Sequence, residues 1–385
     1  MIERTLFSED HELFRASVRK FVEQELVPYH EAWEEAGKVD RTAWRKAGAA
    51  GILCCDVPEE YGGPGGDFLY NVVVIEELAR AAITGPGFMV HSDMMATYIA
   101  SFGTEEQKKK WLPKMVSAEV IGALAMTEPG AGSDLKAIRT TAVRDGDDYV
   151  INGQKVYISN GQNCDLLVVA CKTNPAAGAK GVSLILVEAS TPGFKRGKNL
   201  KKIGLKAQDT SELFFDDVRV PVSNRLGEEN RGFPMLMTKL ARERLTQAIR
   251  SIIVAEQAIQ WTVNYTKERK AFGQTIGDFQ NTRFKLAELA TQTAAGRTFV
   301  DQCIALYLRE KLDPVDAAMA KLYASDLHVK TVDECLQFFG GYGYMLEFPI
   351  ARAYIDGRIV RIAGGAAEIM KQIIAQRLFE QRQTT

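Results

Sequence analysis

Residue types able to do acid–base chemistry or to hold a polar ligand concentrate in Thr127-Glu128-Pro129-Gly130-Ala131-Gly132-Ser133-Asp134, where an apolar run from Ala123 stops abruptly. Its proline and glycines force a tight loop, and glycine lets a ligand approach the backbone closely. Bare N–H groups and the hydroxyls of Thr127 and Ser133 suit a ligand rich in carbonyls and phosphates. Glu128 and Asp134 put two carboxylates in the same loop, so it could equally carry the chemistry itself.

Other chemistries are poorly served. The six cysteines (54, 55, 164, 171, 303 and 335) form no Cys-x-x-Cys pair, and no histidine stands at zinc-ligand spacing from one, so buried reduced thiols and no metal site are expected. None of the four histidines accompanies a Gly-x-Ser-x-Gly elbow or a plausible cysteine nucleophile. A proton-transfer enzyme built from this chain would use a carboxylate. Gly62–Gly66 lacks the Gly-Lys-Ser/Thr ending of a phosphate-binding loop and reads as a turn. Gly130-x-Gly132 and Gly341-x-Gly343 lack the third glycine of the dinucleotide fingerprint, so a nicotinamide Rossmann domain is not expected. A net charge of −1 argues against a general nucleic-acid binder. No apolar run reaches the roughly 18 residues of a membrane span. The N-terminus lacks a basic-then-apolar leader, which points to the cytoplasm.

Three elements must position this loop, since a chain of 385 residues implies two or three domains. Up to about residue 120 the period is helical. Ser8 caps a helix whose stripe is Leu13, Phe14, Val18, Phe21, Val22 and Leu26, and Pro28 ends it. Another helix covers 71–82, and Thr104-Glu-Glu-Gln107 is a capping box. From 121 to 225 the period becomes two: Leu166–Cys171, Val182–Val187 and Glu212–Val220 read as strands, and Asn152-Gly153 as a hairpin turn. Strands do not alternate with helices there, which counts against a doubly wound sheet. From about 226 onward long helices return, with Leu245, Ile249, Ile252, Ile259 and Val263 on one face; Phe284, Leu286, Leu289 and Ala290 begin another. The expected class is α+β: an N-terminal α-helical domain (1–120), a small middle β-barrel or sandwich (121–225) and a C-terminal α-helical domain (226–385).

This layout around a Thr-Glu-Pro-Gly-Ala-Gly-Ser-Asp loop resembles the acyl-CoA dehydrogenase family over essentially the whole chain. Four later stretches carry the likeness: Gln154–Asn160, Arg269–Gln280, Gln337–Gly341 and Ile362–Ile369. The resemblance implies a C-terminal four-helix bundle and an FAD flavoprotein of fatty-acid β-oxidation and lipid metabolism. Such an enzyme oxidises an acyl-CoA to the trans-2-enoyl-CoA: a carboxylate takes the α proton while a hydride leaves the β carbon for flavin N5. It implies that Leu124, Ala125, Met126, Thr127, Gly132 and Ser133 line the flavin, with Ser133 also near the pantetheine chain. Tyr157, Ile158 and Ser159 would face the ring, Tyr157 standing where the family often has Trp. Arg269 would hold the FAD pyrophosphate of a neighbouring subunit, and Phe272 would also contact the cofactor. Phe279, Gln280, Gln337, Phe338, Gly340 and Gly341 would cradle the adenine half, and Ala366 and Glu368 would also contact the cofactor. Sites shared between subunits imply a homotetramer, and the family implies an electron-transfer flavoprotein as acceptor. An oxygen-using oxidase and a non-catalytic binding module are the rival readings; acyl-CoA oxidases usually carry an extra C-terminal domain.

Many members of the family place the base in a C-terminal Tyr-Glu-Gly-Thr loop. Here the matching run is Ala363-Gly364-Gly365-Ala366, and a glycine cannot act as a base. Long-chain and isovaleryl members take it from a Glu-Arg-Leu helix. This chain has Arg242-Glu243-Arg244-Leu245 there. Taken alone, a glutamate between arginines reads as the solvated face of a helix. Glu243 nevertheless matches the position in that subgroup, 29 residues before Phe272, so the resemblance implies that it is the base. Arginines pointing inward would hold it ionised, so Arg242 or Arg244 is expected to turn toward CoA or solvent; Arg244 matches a substrate contact. Gly364 would donate its N–H to the thioester oxygen, and Ala363 and Gly365 would border the substrate. Glu128 and Asp134 then become turn-shaping acceptors. The small Ala363 and Gly364 leave room for a medium, long or branched acyl chain.

Overall fold

The structure, a computed structural model, describes residues 2–380. In chain order the helices are α1 (Glu9–Phe21), α2 (His30–Ala36), α3 (Arg41–Ala49), α4 (Phe68–Arg80), α5 (Ala96–Phe102), α6 (Glu105–Val116), α7 (Gly232–Glu268), α8 (Gln280–Leu308), α9 (Pro314–Phe339), α10 (Pro349–Gly357) and α11 (Ala367–Glu380). The strands are β1 (Gly122–Ala125), β2 (Thr141–Asp145), β3 (Asp148–Ser159), β4 (Leu166–Lys172), β5 (Val182–Glu188), β6 (Phe194–Asn199), β7 (Thr210–Pro221), β8 (Arg225–Leu226), β9 (Lys270–Ala271) and β10 (Gln274–Thr275). The chain forms two compact units. One holds the residues up to Ala16, Val72–Ile83 and those from Ala241 on; the other holds Ser17–Asn71 and Thr84–Leu240.

The second unit is built on one sheet in the order β6-β7-β3-β2-β4-β5-β8, with β1 added parallel to β4. This is the expected middle β domain: β2 meets β4 at the single pair Thr141–Lys172, and the strands on both sides of that joint share one core. Its alternating apolar residues, among them Tyr149, Ile151, Leu167, Val169, Ile185, Leu213 and Val218, are fully buried in one core. The expected hairpin at Asn152-Gly153 does not form. The turn lies instead at Gly146, whose φ of 62° closes the β2–β3 pair, and Asn152 and Gly153 lie inside β3. Gly153 marks a register shift against β7, and a Cβ there would stand 2.5 Å from Thr140 Oγ1. Asn152 Oδ1 accepts from the Asp217 N–H on β7 at 2.9 Å, so its amide locks a strand pair rather than bending the chain.

The capping box holds at α6: the Gln107 N–H donates to Thr104 Oγ1 at 3.2 Å, and the Thr104 N–H to Gln107 Oε1 at 3.0 Å. Of the N-terminal stripe, Val18, Val22 and Leu26 are buried, whereas Leu13 is 63% exposed. Phe284 is likewise exposed on α8. Pro28 sits in a 3-10 turn, Val27–Tyr29, from which the chain passes into α2.

Buried hydrogen bonds tie the helical segments of this unit to the sheet. Asn160 Nδ2 on the β3–β4 connection donates to the carbonyls of Gly87 and Gly122, 3.1 Å each. His91 has no solvent exposure; its Nε2–H donates to the Met115 carbonyl at 2.9 Å, and Nδ1 accepts from the Gly122 N–H at 3.0 Å. Both nitrogens are therefore used by the neutral ring. Burial pushes its pKa down to about 4, whereas an unfolded histidine titrates near 6.5. The unfolded chain binds the extra proton first, so stability is lost as pH falls from about 6.5 to 4, by on the order of 3 kcal/mol. We expect His91→Gln to lower the thermal midpoint at pH 7 yet to flatten its decline between pH 6.5 and 4. A decline as steep as in the wild type would show that His91 is not the titrating group.

In the first unit, α7, α8, α9 and α11 are the long helices. One of its core clusters gathers Ile253, Val254, Ala258, Leu289, Val332, Cys335, Phe339, Ile350 and Ala353. Fully buried Glu76 meets Arg4 at 2.9 Å, Arg15 at 2.7 Å and Arg297 at 3.4 Å. Burial opposes its ionisation, and the guanidiniums overcome that and hold the carboxyl below its usual range. All six cysteines are buried free thiols. Among the described residues no group of His, Cys, Asp and Glu is placed to hold a metal, and no helix is long and apolar enough to cross a membrane.

Candidate active site

In the sheet unit, the glycine loop leaves β1 and is folded around Glu128. Glu128 and Ala131 exchange backbone hydrogen bonds, 3.0 Å each, closing a turn over Pro129 and Gly130. The Glu128 carboxylate accepts from the Arg139 N–H (2.6 Å), the Thr140 N–H (3.0 Å) and Lys155 Nζ (2.8 Å). Lys155 has no exposed side-chain surface and also donates to the Met126 carbonyl at 2.9 Å. Burial alone would raise the Glu128 pKa; the Lys155 charge and the donors bring it below the usual range. Asp134 accepts from the Lys136 N–H at 3.2 Å and caps a short 3-10 turn. Both carboxylates are thus spent on shaping the loop.

The same ion pair fixes β3 against the loop, and the Val156 N–H donates to the Thr127 carbonyl at 2.9 Å. One residue on, Tyr157 takes φ 60° at a register shift and stands 68% exposed. A non-glycine residue in that region is held there at a cost, commonly at functional sites. Ala125 and Ile158 pack into the sheet core, so they can offer a ligand backbone only. Met126, Thr127 and Ser159 are half-buried, Leu124 is buried, and Gly132 and Ser133 are exposed. A Cβ at Gly130 or Gly132 would meet nothing within 4 Å. Open glycine backbone, half-buried hydroxyls and one presented aromatic make a cradle that fits a planar polar ring. Beside it runs a groove of about 780 Å³ lined by Glu128, Gly130, Arg139, Lys195 and Phe214.

In the helical unit, the stretch from Arg242 to Ile249 on α7 is entirely buried, and Glu243 is only 3% exposed. The solvated charged face expected from the sequence alone is absent, and neither neighbouring arginine turns to solvent. The Arg242 guanidinium lies 5.9 Å from the Tyr307 ring centroid on α8. Arg244 is 6% exposed; burial lowers its pKa, with the Glu243 carboxylate pulling the other way. One helical turn beyond Glu243, Gln247 Cγ stands 3.6 Å from where a Gly364 side chain would begin. Gln247, on the same helix face as Glu243, thus reaches the Gly364 loop, a meeting invisible in the sequence. Gly364 and Gly365 take φ 68° and 95°, a region glycine tolerates. Ala363, Gly365 and Ala366 are half-buried, and Glu368 is exposed.

Arg269 immediately precedes the β9–β10 hairpin, and Phe272 stands 96% exposed at its tip. The Arg269 guanidinium lies 5.8 Å from the Tyr342 ring centroid, and the Phe272 and Phe279 rings are 6.4 Å apart. The hairpin and the turn after α9 are thereby joined, and Gln280, Gln337, Gly340 and Gly341 are exposed, with Phe338 half-buried.

The sequence reading missed Lys321, whose Nζ donates to the Gly365 carbonyl at 2.7 Å. Burial and the Arg244 charge push its pKa down to about 8. The available signal was a lone charge in the run Ala317-Ala318-Met319-Ala320-Lys321. Gln247 and Lys155 were missed as well, because neither role can be read without the partner strand or loop.

Three domain models match in order: the acyl-CoA dehydrogenase N-terminal domain over residues 8–119, the middle domain over 123–218 and the C-terminal domain over 230–379. The chain belongs to the acyl-CoA dehydrogenase family and is an oxidoreductase. It is 50% identical over 377 residues to a long-chain specific acyl-CoA dehydrogenase, mitochondrial, of Rattus norvegicus, spanning 97% of this chain and 88% of that one. A crystal structure of an acyl-CoA dehydrogenase from Geobacillus kaustophilus matches at 49% identity and TM-score 0.96, over 98% of this chain and 100% of the other. A glutaryl-CoA dehydrogenase from Mycobacterium smegmatis, in complex with FADH2, matches at 28% identity and TM-score 0.90, over 97% and 95%.

Proposed function

We propose that this chain is an FAD-dependent acyl-CoA dehydrogenase that oxidises a long or branched acyl-CoA to its trans-2-enoyl-CoA. The observation carrying this reading is the buried carboxylate of Glu243, one turn from the side chain that abuts Gly364. Thr127, Ser133, Tyr157 and Ser159 would hold the flavin ring, and Arg269 with the residues around Gln337–Gly341 its nucleotide half. When bound, FAD supplies a two-electron acceptor for the β hydride. The protein's own part is proton transfer and charge stabilisation. Glu243 takes the α proton and Arg244 lies beside it. The Gly364 N–H donates to the thioester oxygen as enolate charge develops there. The buried α7 stretch keeps water from the carboxylate.

The small Ala363 and Gly364 support a chain that is bulky near its third carbon, and likeness to a long-chain relative supports length. The exposed Phe272, Gln280 and Gln337 support completion of the nucleotide site by a second subunit in a homotetramer. An electron-transfer flavoprotein would then take the electrons onward. The test is direct: purified protein is expected to be yellow and to bleach under anaerobic addition of a long-chain or 3-methyl-branched acyl-CoA, with negligible oxygen uptake. Colourless protein that binds no FAD, or yellow protein that no acyl-CoA bleaches, would overturn the assignment. Rapid oxygen uptake without an added acceptor would make it an oxidase instead.

A further inference from the structure

Lys321 lies on α9 among Ala317, Ala318, Ala320 and Ala324, all fully buried, and is itself without solvent exposure. Its ammonium makes one hydrogen bond, to the Gly365 carbonyl at 2.7 Å, across 44 residues of sequence. Among the described residues no carboxylate pairs with it. Arg244 is a neighbouring cation, and the charges of Asp326, Glu368 and Arg361 act more weakly. An unpaired buried charge is costly to a fold, and an apolar side chain of the same size would serve packing at least as well. The benefit must lie at the loop. Two consecutive glycines with positive φ have no side chains to anchor them, and glycine backbone is intrinsically loose. A donor that polarises a thioester oxygen works only if it is already aimed before reaction.

We propose that Lys321 is a positioning residue, its ammonium pinning the Gly365 carbonyl and so fixing the direction of the Gly364 N–H toward the thioester oxygen. This rests on the reading of Gly364 as that donor. The Lys321 hydrogen bond goes to loop backbone, so the residue acts through the peptide units between Gly365 and the Gly364 N–H. The pin reaches the loop from α9 and shares no atoms with the proposed base on α7.

The test compares Lys321→Met and Lys321→Arg in the FAD-loaded enzyme, by stopped-flow bleaching over a range of acyl-CoA concentrations. Lys321→Met is expected to cut the reduction rate at saturation by about 100-fold, the scale of a lost oxyanion donor. The half-saturating concentration is expected to stay within about threefold of wild type. Its thermal midpoint is expected to be unchanged or higher, because a buried unpaired charge has gone. A merely structural lysine would show the reverse, a lower midpoint with an unchanged rate per folded enzyme. Lys321→Arg keeps a donor and is expected to stay within about fivefold of the wild-type rate. Wild-type reduction rates in Lys321→Met, or an equal loss in both variants, would overturn the proposal. Failure of the wild type itself to bleach would count against the dehydrogenase reading, a distinct result.

Discussion

Replacing Glu243 with Gln should stop flavin bleaching by acyl-CoA while leaving the protein yellow and folded. The substitution keeps the volume and hydrogen-bonding edge of the side chain and removes only its ability to take a proton. General-base catalysis of this kind is worth about 10²- to 10⁴-fold, so the reduction rate should fall at least that far. The spectral shift caused by acyl-CoA binding should persist at a similar concentration. Three features support this site. The carboxylate is 3% exposed on a helix that buries its neighbours on both sides. Gln247, one turn along, abuts Gly364. The loop position that serves other members of the family is glycine and has nothing to titrate. Stopped-flow reduction checks the outcome, and an unchanged rate would place the base elsewhere. Glu128 is the nearest alternative in type, but it already serves Lys155 and two backbone N–H groups.

That saturation of Glu128 leads to the second large effect, on the cradle itself. Glu128→Ala would leave the N–H groups of Arg139 and Thr140 without their acceptor and strip the buried Lys155 ammonium of its counter-charge, leaving it only the Met126 carbonyl. Removing one partner of a buried ion pair commonly costs about 3–5 kcal/mol, because the other charge stays buried. A thermal midpoint lower by roughly 10 °C follows for a unit of this size. The functional consequence would be larger than the loss of stability, since the Glu128 turn sets the glycine loop and Lys155 ties it to the strand presenting Tyr157. FAD would be lost on dilution, measurable as flavin fluorescence in the ultrafiltrate. Adding Lys155→Met to Glu128→Ala removes the stranded charge and should recover part of the midpoint. It should not recover FAD retention, because the turn is still unmade. If the single variant keeps its FAD and its midpoint, the ion pair is not what shapes the loop.

Much of the architecture could be read from local patterns. The change of period near residue 121, the capping box at Thr104 and the strands around Val168, Leu184 and Phe215 all depend on neighbours in sequence, and all are present. The hairpin at Asn152-Gly153 misled because the dipeptide is a good turn locally. Two contacts outweighed that preference: Asn152 pairs with Asp217, and Gly153 gives the close approach to Thr140 that a side chain would block. Leu13 misled in the opposite way, since a helical stripe says which residues share a face but not how wide the covered strip is.

The sequence by itself determined the helical–sheet–helical order, the glycine loop and the absence of any carboxylate at position 364. With the family resemblance, that absence narrowed the base to Glu243. It could not tell whether Arg242-Glu243-Arg244 faces water. That is decided by what covers the helix, and every side chain from 242 to 249 is buried. Nor could it link Lys321 to Gly365 or Gln247 to Gly364, since these meetings span helices far apart in the chain. Local propensity acts over a turn or a strand. Burial, and with it the cost of a charge and the aim of a backbone N–H, comes from tertiary neighbours that no local pattern specifies.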